Sequence, residues 1–206
     1  STGQIKDYRQ AGCHNVKYWQ IGYDPKNHFP KFEKTFKYDL SFAGNRYQIN
    51  DFADCAQRIS FIEFLHNKLG SKFGLFGSGY NKSKYFNVRR TESVKELNDI
   101  YNQSICIFNI SHYNNTSHYF SDRLLTCLAS GRPVISYKFP NYESYFTHGS
   151  DILIAESKDE IISLLNFCKE NPEKANEIGL NGYKKVKAEH TYFSRVMELL
   201  FLTRLR

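Results

Sequence analysis

The sequence predicts an α/β fold in which a parallel sheet is covered by helices on both faces. Short apolar runs of five or six residues alternate along the chain with longer stretches whose apolar residues recur at helical spacing. A glycine or a polar turn closes almost every run. The links are short, so successive strands meet only through helical crossovers, and sheets built that way are buried on both sides.

Residues 1–36 are the least regular part and read as a connector with an N-terminal strand. They hold a short strand candidate at 16–21, then Asp24-Pro25 and Pro30. From Tyr38 the rhythm begins, and residues 37–206 read as one domain. Residues 38–43 are an apolar run ended by Gly44, a buried strand. Residues 51–69 read as helix, with Ile59, Ile62, Phe64, Leu65 and Leu69 on one face and Gly70 as the stop. Residues 72–76 form a second strand, closed by Gly77-Ser78-Gly79. Ser93 caps a helix through Gln103 with Val94, Leu97, Ile100 and Tyr101 inward, and Glu96 completes a capping box. A third strand at 105–110 leads into a polar loop at 112–120. Ser121-Asp122 caps a helix at 123–130 that Gly131 stops. Strands four and five fall at 133–137 and 151–155, and helices at 158–170, 172–189 and 192–205 finish the chain. Crossovers in such a sheet are right-handed, and ligands bind beyond the carboxyl ends of the strands, where the strand order reverses.

Composition bounds the function classes. At 206 residues with 41% hydrophobic and 24% charged residues, the chain is globular rather than disordered. Lys plus Arg outnumber Asp plus Glu by 28 to 21, and a net charge of +7 favours an anionic partner. Nucleic acid is one such partner, but no recognition motif for it is present. Five scattered Cys without CxxC spacing argue against a disulfide framework and a zinc site, and read as buried thiols in a reducing, cytoplasmic setting. No apolar run is long enough to cross a bilayer. The chain does not begin with Met and is expected to be a piece of something longer.

Three loops reach the ligand-binding edge. Gly44-Asn45-Arg46 lets backbone approach a ligand while Arg46 meets a phosphate; the plainer reading is a turn with a surface Arg. Gly77-Ser78-Gly79-Tyr80 is not a dinucleotide fingerprint, because Lys82 stands where the third glycine belongs, and no Gly-Lys-Ser/Thr makes it a Walker loop. Ser121-Asp122-Arg123 opens a helix whose free N–H groups and dipole suit a diphosphate, with Arg123 as an added donor. The alternative is an Asp cap with a solvated Arg. His112, His118 and Asp122 share one loop without the spacing of a metal site. Glu143, after Pro140, is a candidate for contact with a polar ligand, or a surface Glu.

The segment SDRLLTCLASGRPVIS, residues 121–136, resembles the motif of the group-1 glycosyltransferases, in which a helix runs into Ala-x-Gly-x-Pro-Val and a strand; here these are Ala129, Gly131, Pro133 and Val134. YDLSFAGN and FGLFGSGY look like that family's first two strands and glycine turns, and EHTYFSRVMELL resembles the closing helix of its spore-maturation branch. The likeness runs from about Val16 to Leu200 and covers the C-terminal, donor-binding half of a GT-B fold, a Rossmann-like domain. It implies a metal-independent hexosyl- or deoxyhexosyl-type transferase that moves a sugar from a nucleotide-diphosphate sugar, UDP-linked, to an acceptor hydroxyl on a glycan or other molecule. No cofactor beyond that donor is implied, and acceptor binding would belong to an N-terminal domain outside this chain. By the same likeness Gly44, Asn45 and Arg46 face the diphosphate, with Arg58 as a further cation. Gly77, Ser78, Gly79 and Tyr80 admit the nucleoside, Val88 and Arg89 offer backbone to the base, and Ser121, Asp122 and Arg123 hold phosphates. Arg123 and Glu143 stand as the catalytic candidates. The family's paired Glu residues fall on Thr126 and His118, so ribose contact passes to the weaker hydroxyl of Thr126. A non-catalytic nucleotide-binding or interaction module of the same fold is the alternative that those two departures favour.

Overall fold

The structure, a computed structural model, describes residues 1–206 apart from Phe32, Lys34, Phe86, Thr91, Glu92, Leu205 and Arg206. The elements run α1 (Ile5–Gln10), β1 (Tyr38–Ala43), α2 (Cys55–Leu69), β2 (Phe73–Phe76), α3 (Val94–Asn102), β3 (Ser104–Asn109), α4 (Asp122–Ala129), β4 (Val134–Tyr137), β5 (Leu153–Ala155), α5 (Lys158–Glu170), α6 (Pro172–Glu189) and α7 (Tyr192–Arg204). The expected α/β alternation is therefore the observed one. Leu205, the expected last residue of the final helix, lies outside the described residues.

The five strands are parallel in the order β2-β1-β3-β4-β5. The chain steps outward from β1 to β2, crosses back over β1 to β3, and continues outward on the other side. The order reverses between β1 and β3, so the loops leaving their carboxyl ends diverge and open a crevice.

Period-two alternation along the strands divides the core into two layers. Phe42, Phe108 and Ile135 pack with Phe61, Ile62 and Leu65 of α2 and with Ile161 and Leu165 of α5. On the other face Ile107 and Val134 meet Tyr101 of α3, Leu124 and Leu128 of α4, and Val186 of α6. Each such side chain, fully buried, contributes about 1.5–3 kcal/mol. Buried polar groups in the sheet are paired: Ser104 Oγ donates to Ser41 Oγ at 2.8 Å and Asn109 Nδ2 donates to Ser136 Oγ at 3.1 Å. Four cysteines, Cys55, Cys106, Cys127 and Cys168, are buried free thiols as expected, whereas Cys13 is exposed.

Three local expectations shift. Residues 16–21 form no strand; just after them Tyr23 makes an isolated bridge to Thr191, and the preceding segment is held by side chains instead. Trp19 Nε1 donates to the Arg195 carbonyl, and the Arg195 guanidinium donates to the Ile21 carbonyl. Helix α2 starts at Cys55, not Asp51, because Asp51 and Asp54 are spent on turns. Asp51 accepts from the Gln48 N–H, and the carboxylate of Asp54 accepts from the Asn114 N–H, tying the loop after β1 to the loop after β3. Ser93 caps α3 by accepting from the Glu96 N–H at 3.1 Å, as expected, but Ser121 makes no cap bond and Asp122 takes the Arg123 N–H at 2.9 Å.

The connector is pinned to α3 by a pair of asparagines one helical turn apart. Asn98 accepts from the Phe29 N–H, and Asn102 donates to the Phe29 carbonyl while accepting from the Lys31 N–H. This places His28 at the carboxyl edge of the sheet. Among the described residues no helix is long and apolar enough to cross a membrane.

Helix α6 packs closely on the turn between α4 and β4 and on the loop before β5 because Gly179 and Gly182 carry no side chain. A Cβ on Gly179 would strike the Gly131 carbonyl and stand 2.7 Å from the Arg132 backbone. Since the obstacle is backbone, Gly179→Val is expected to cost about 1–3 kcal/mol through overpacking. A lowered melting temperature in a thermal scan checks this; an unchanged value would mean that α6 has room to move.

Candidate functional site

The loops after β1 and β2 interlock before they meet any ligand. The Gly44 N–H donates to the Phe76 carbonyl and the Arg46 N–H to the Ser78 carbonyl, each at 2.8 Å. The Ser78 N–H donates to Asn45 Oδ1 at 3.0 Å, and the Tyr80 hydroxyl to the Gly44 carbonyl at 2.9 Å. Gly77 and Gly79 have φ of 140° and 84°, which favour glycine, and a Cβ on either would strike the carbonyl of Gly44 or Arg46. Both were expected to make room for a nucleoside; the space they leave is filled by the neighbouring loop.

Beside this joint a cleft of about 590 Å³ opens at the switch point, within the range of small-molecule sites. Its walls come from the ends of β1 and β2 (Ala43, Gly44, Phe76, Gly77), from α2 (Arg58), from α3 (Leu97, Tyr101) and from the start of α4 (Ser121, Asp122, Arg123, Thr126). Asn45, Tyr47, Ser111, His112, Tyr119, Val94 and His28 complete it.

Two guanidinium groups dominate its chemistry. Arg58 and Arg123 lie over the ring of Phe42, 4.9 and 5.2 Å from its centroid, and both close on the space where Gly44 lacks a side chain. Arg58 donates to the Asn45 carbonyl at 3.1 Å and to Nε2 of His112. Arg123 donates to Asn109 Oδ1 and the Ile110 carbonyl. Among the described residues neither guanidinium forms an ion pair with a carboxylate. Burial first, then the charge of Arg123, brings the Arg58 pKa down to about 9. Arg cannot accept a hydrogen bond, so His112 must present a bare Nε2 and carry its proton on Nδ1. That Nδ1 lies 3.4 Å from Cys55 Sγ. Burial and the two guanidiniums hold the ring neutral, with its pKa lowered to about 4.

The other expected site residues divide. Gly44, Asn45, Arg58, Gly77, Ser121, Asp122, Arg123 and Thr126 line the cleft. Arg123 is half-buried and bonded, not the solvated Arg of the plainer reading. Thr126 spends its hydroxyl proton on the Arg123 carbonyl at 3.0 Å and keeps its lone pairs. Arg46 turns toward Tyr85 and Glu63 and stays outside the cleft, as do Ser78, Gly79 and Tyr80. Val88 and Arg89 line a separate depression, and the Arg89 backbone is consumed by the sheet edge: its N–H donates to the Leu75 carbonyl and its carbonyl accepts from the Gly77 N–H. Glu143 stands exposed on the turn at 142–144, outside the cleft, because Asn141 at φ 63° swings that segment away. His118 pairs with the Thr2 hydroxyl at 2.7 Å, not with a ligand wall.

Sequence reasoning missed His28, Tyr47, Tyr101 and Tyr119 as cleft residues and weighed His112 only as a metal ligand. The one signal for His28 was the Asn98/Asn102 pair at helical spacing. Among the described residues His28 Nδ1 and Ser121 Oγ are buried polar atoms without a hydrogen-bond partner, and both residues line this one cleft.

A family model described as glycosyl transferase-like matches residues 57–201, most of the chain. The chain belongs to that family. Among curated proteins, no sequence relative is found. The fold matches solved structures at low identity. Sucrose-phosphate synthase from Thermosynechococcus elongatus superposes with a TM-score of 0.70 at 14% identity, over 98% of this chain and 56% of that one. HepE from Anabaena, solved with UDP, superposes at 0.72 and 12% identity, over 100% of this chain and 62% of that one. The C-terminal domain of the group 1 glycosyl transferase LpcC from Francisella tularensis matches over its whole length and 83% of this chain, with a TM-score of 0.58 and 14% identity. The chain thus has the GT-B C-terminal, Rossmann-like architecture and spans about three fifths of the longer relatives it matches.

The closeness of both guanidiniums to Gly44 sets a test. Gly44→Ala forces them apart, since its Cβ would collide with Arg58 Nη2 and lie 2.7 Å from Arg123 Nη1. Inorganic pyrophosphate is expected to raise the melting temperature of the wild type and not that of the variant. An equal shift in both would show that the anion binds elsewhere.

Proposed function

We propose that the chain is the donor-binding domain of a glycosyltransferase that takes a nucleotide-diphosphate sugar, UDP-linked, and transfers its sugar to an acceptor hydroxyl. The observation that supports this best is the carboxylate-free pair Arg58 and Arg123 at the switch-point cleft. A buried and a half-buried cation side by side without counter-charge are costly unless an anion completes them. A diphosphate supplies that charge, and the N-terminus of α4 beside Arg123 adds the positive end of its dipole. Structures of HepE hold UDP and UDP-glucose.

In the transfer, the bond between the sugar C1 and the β-phosphate oxygen breaks, the acceptor oxygen bonds to C1, and the acceptor proton leaves to a base. Negative charge grows on the departing diphosphate, and fixed guanidiniums aimed at it stabilise the transition state more than the ground state. In this reading the two arginines do the work that a divalent ion does in other transferases. In this reading Ser121 stays with the diphosphate, and the polar groups of Thr126, Tyr101 and His28 face the nucleoside end. Residues 1–36 serve as connector to the 37–206 donor domain, and acceptor binding with its base belongs to a second domain, as the greater length of the matched relatives suggests. The departures at Thr126 and His118 favour a second reading, a nucleotide-binding module without transfer activity.

Two measurements test the first reading. UDP and its sugars are expected to raise the melting temperature more than ADP or NAD does, with EDTA making no difference; loss of binding in EDTA restored by manganese would remove the arginines from the role given to them. Arg123→Ala is expected to weaken UDP binding about ten- to a hundredfold by calorimetry, the loss of a charged hydrogen bond worth about 1.5–3 kcal/mol. Because Arg123 also bonds Asn109 and Ile110, a modest loss of stability accompanies it. Unaltered affinity would rule out contact with the ligand.

A further inference from the structure

We propose that His112 is a proton-linked partner of this anion site: an anion seated on Arg58 and Arg123 draws Arg58 away from the imidazole, and His112 takes up a proton to become a third cationic donor. The proposal deepens the donor-site reading and rests on it. The geometry that carries it is a three-membered relay on the cleft wall. Arg58 Nη1 donates to His112 Nε2, and the opposite ring nitrogen meets Cys55 Sγ at 3.4 Å. His112 itself lines the cleft beside Arg123. As long as Arg58 leans on Nε2, that nitrogen cannot hold a proton. Once Arg58 turns to a ligand oxygen, Nε2 is bare and next to negative charge.

The groups around the ring set the sign. From α2 come Arg58 and the Cys55 thiol, and from α4 comes Arg123. From the loop after β1 the Tyr47 ring packs edge-on at 5.1 Å. Phe52 packs tilted at 4.8 Å, and the Asp54 N–H donates to the His112 carbonyl while its carboxylate is turned to Asn114. Among the described residues no carboxylate bonds to the ring, so burial first and then the two guanidiniums keep the ring of the free protein neutral down to about pH 4. An anion cancels the field of the guanidiniums and raises the pKa. The bound state then holds more protons than the free state, and affinity strengthens as pH falls from the bound value toward about 4.

The probe is UDP-glucose, whose diphosphate diester carries no group that titrates between pH 5 and 8, so any proton taken up belongs to the protein. Calorimetry at pH 6 in two buffers of different ionisation enthalpy is expected to show net proton uptake by the wild type. Affinity should rise from pH 8 to pH 5, approaching tenfold per unit at the steepest, the limit for one linked proton. His112→Gln keeps an acceptor for Arg58 but cannot protonate; it is expected to bind with no uptake and a flat pH profile. Histidine ring NMR of the wild type gives the same answer without a variant: the His112 pKa should rise on saturation. Binding without uptake, or uptake that survives in His112→Gln, overturns the proposal and leaves the donor-site reading standing. Failure of the wild type to bind UDP-glucose at any pH overturns both.

Discussion

Two like charges held a few Å apart near a protein surface repel by on the order of a few kcal/mol. The carboxyl edge of this sheet is organised around that constraint. Arg58 and Arg123 both lie over one ring, Phe42, and close on one glycine, Gly44. Their donors are directed to the carbonyls of Asn45 and Ile110 and the amide of Asn109, and the nearest titratable ring is forced neutral. Each of these partners offers electron density without a full negative charge. The pair is thus bonded without being neutralised, which is what the proposed anion site requires.

The sheet topology makes the pair possible. Because the strand order reverses between β1 and β3, the chain leaves both strands at one point and diverges. Helix α2 returns Arg58 from one side and α4 brings Arg123 from the other. Asp54 links the two loops, and the glycines at 77 and 79 let the loop after β2 buttress the loop after β1. The connector closes the remaining wall with His28, held by Asn98 and Asn102 of α3. Five separate stretches of chain therefore wall one small volume, and none of them has a site alone.

Much of this was legible in the sequence. Strands showed as apolar runs because a parallel sheet buries both faces, and helices showed their period because each buries one. Glycine and polar caps marked boundaries to within a few residues. The largest slip within the sheet domain, the start of α2, came from Asp51, which looks like a helix cap but closes a local turn with Gln48, and from Asp54, whose carboxylate is engaged with Asn114, 60 positions along the chain. The strand expected at 16–21 failed for a similar reason: its apolar residues are held by Arg195, some 170 positions along the chain.

The sequence by itself determined the layer architecture, the order of elements, the edge at which a ligand would bind and the helix opened by Ser121-Asp122-Arg123. Those properties depend on residues close together in the chain, where periodicity and turn chemistry operate. Only the tertiary structure decided which cations face the cleft: Arg58 enters and Arg46 turns to Glu63, although Arg46 sits beside the glycine turn and Arg58 lies buried in a helix. It also decided that Arg89 gives its backbone to the sheet, that Glu143 stands apart, and that His28 and His112 belong to the site. A side chain's direction depends on which neighbours exclude it and which accept its hydrogen bonds, and at this edge those neighbours come from segments tens of residues apart.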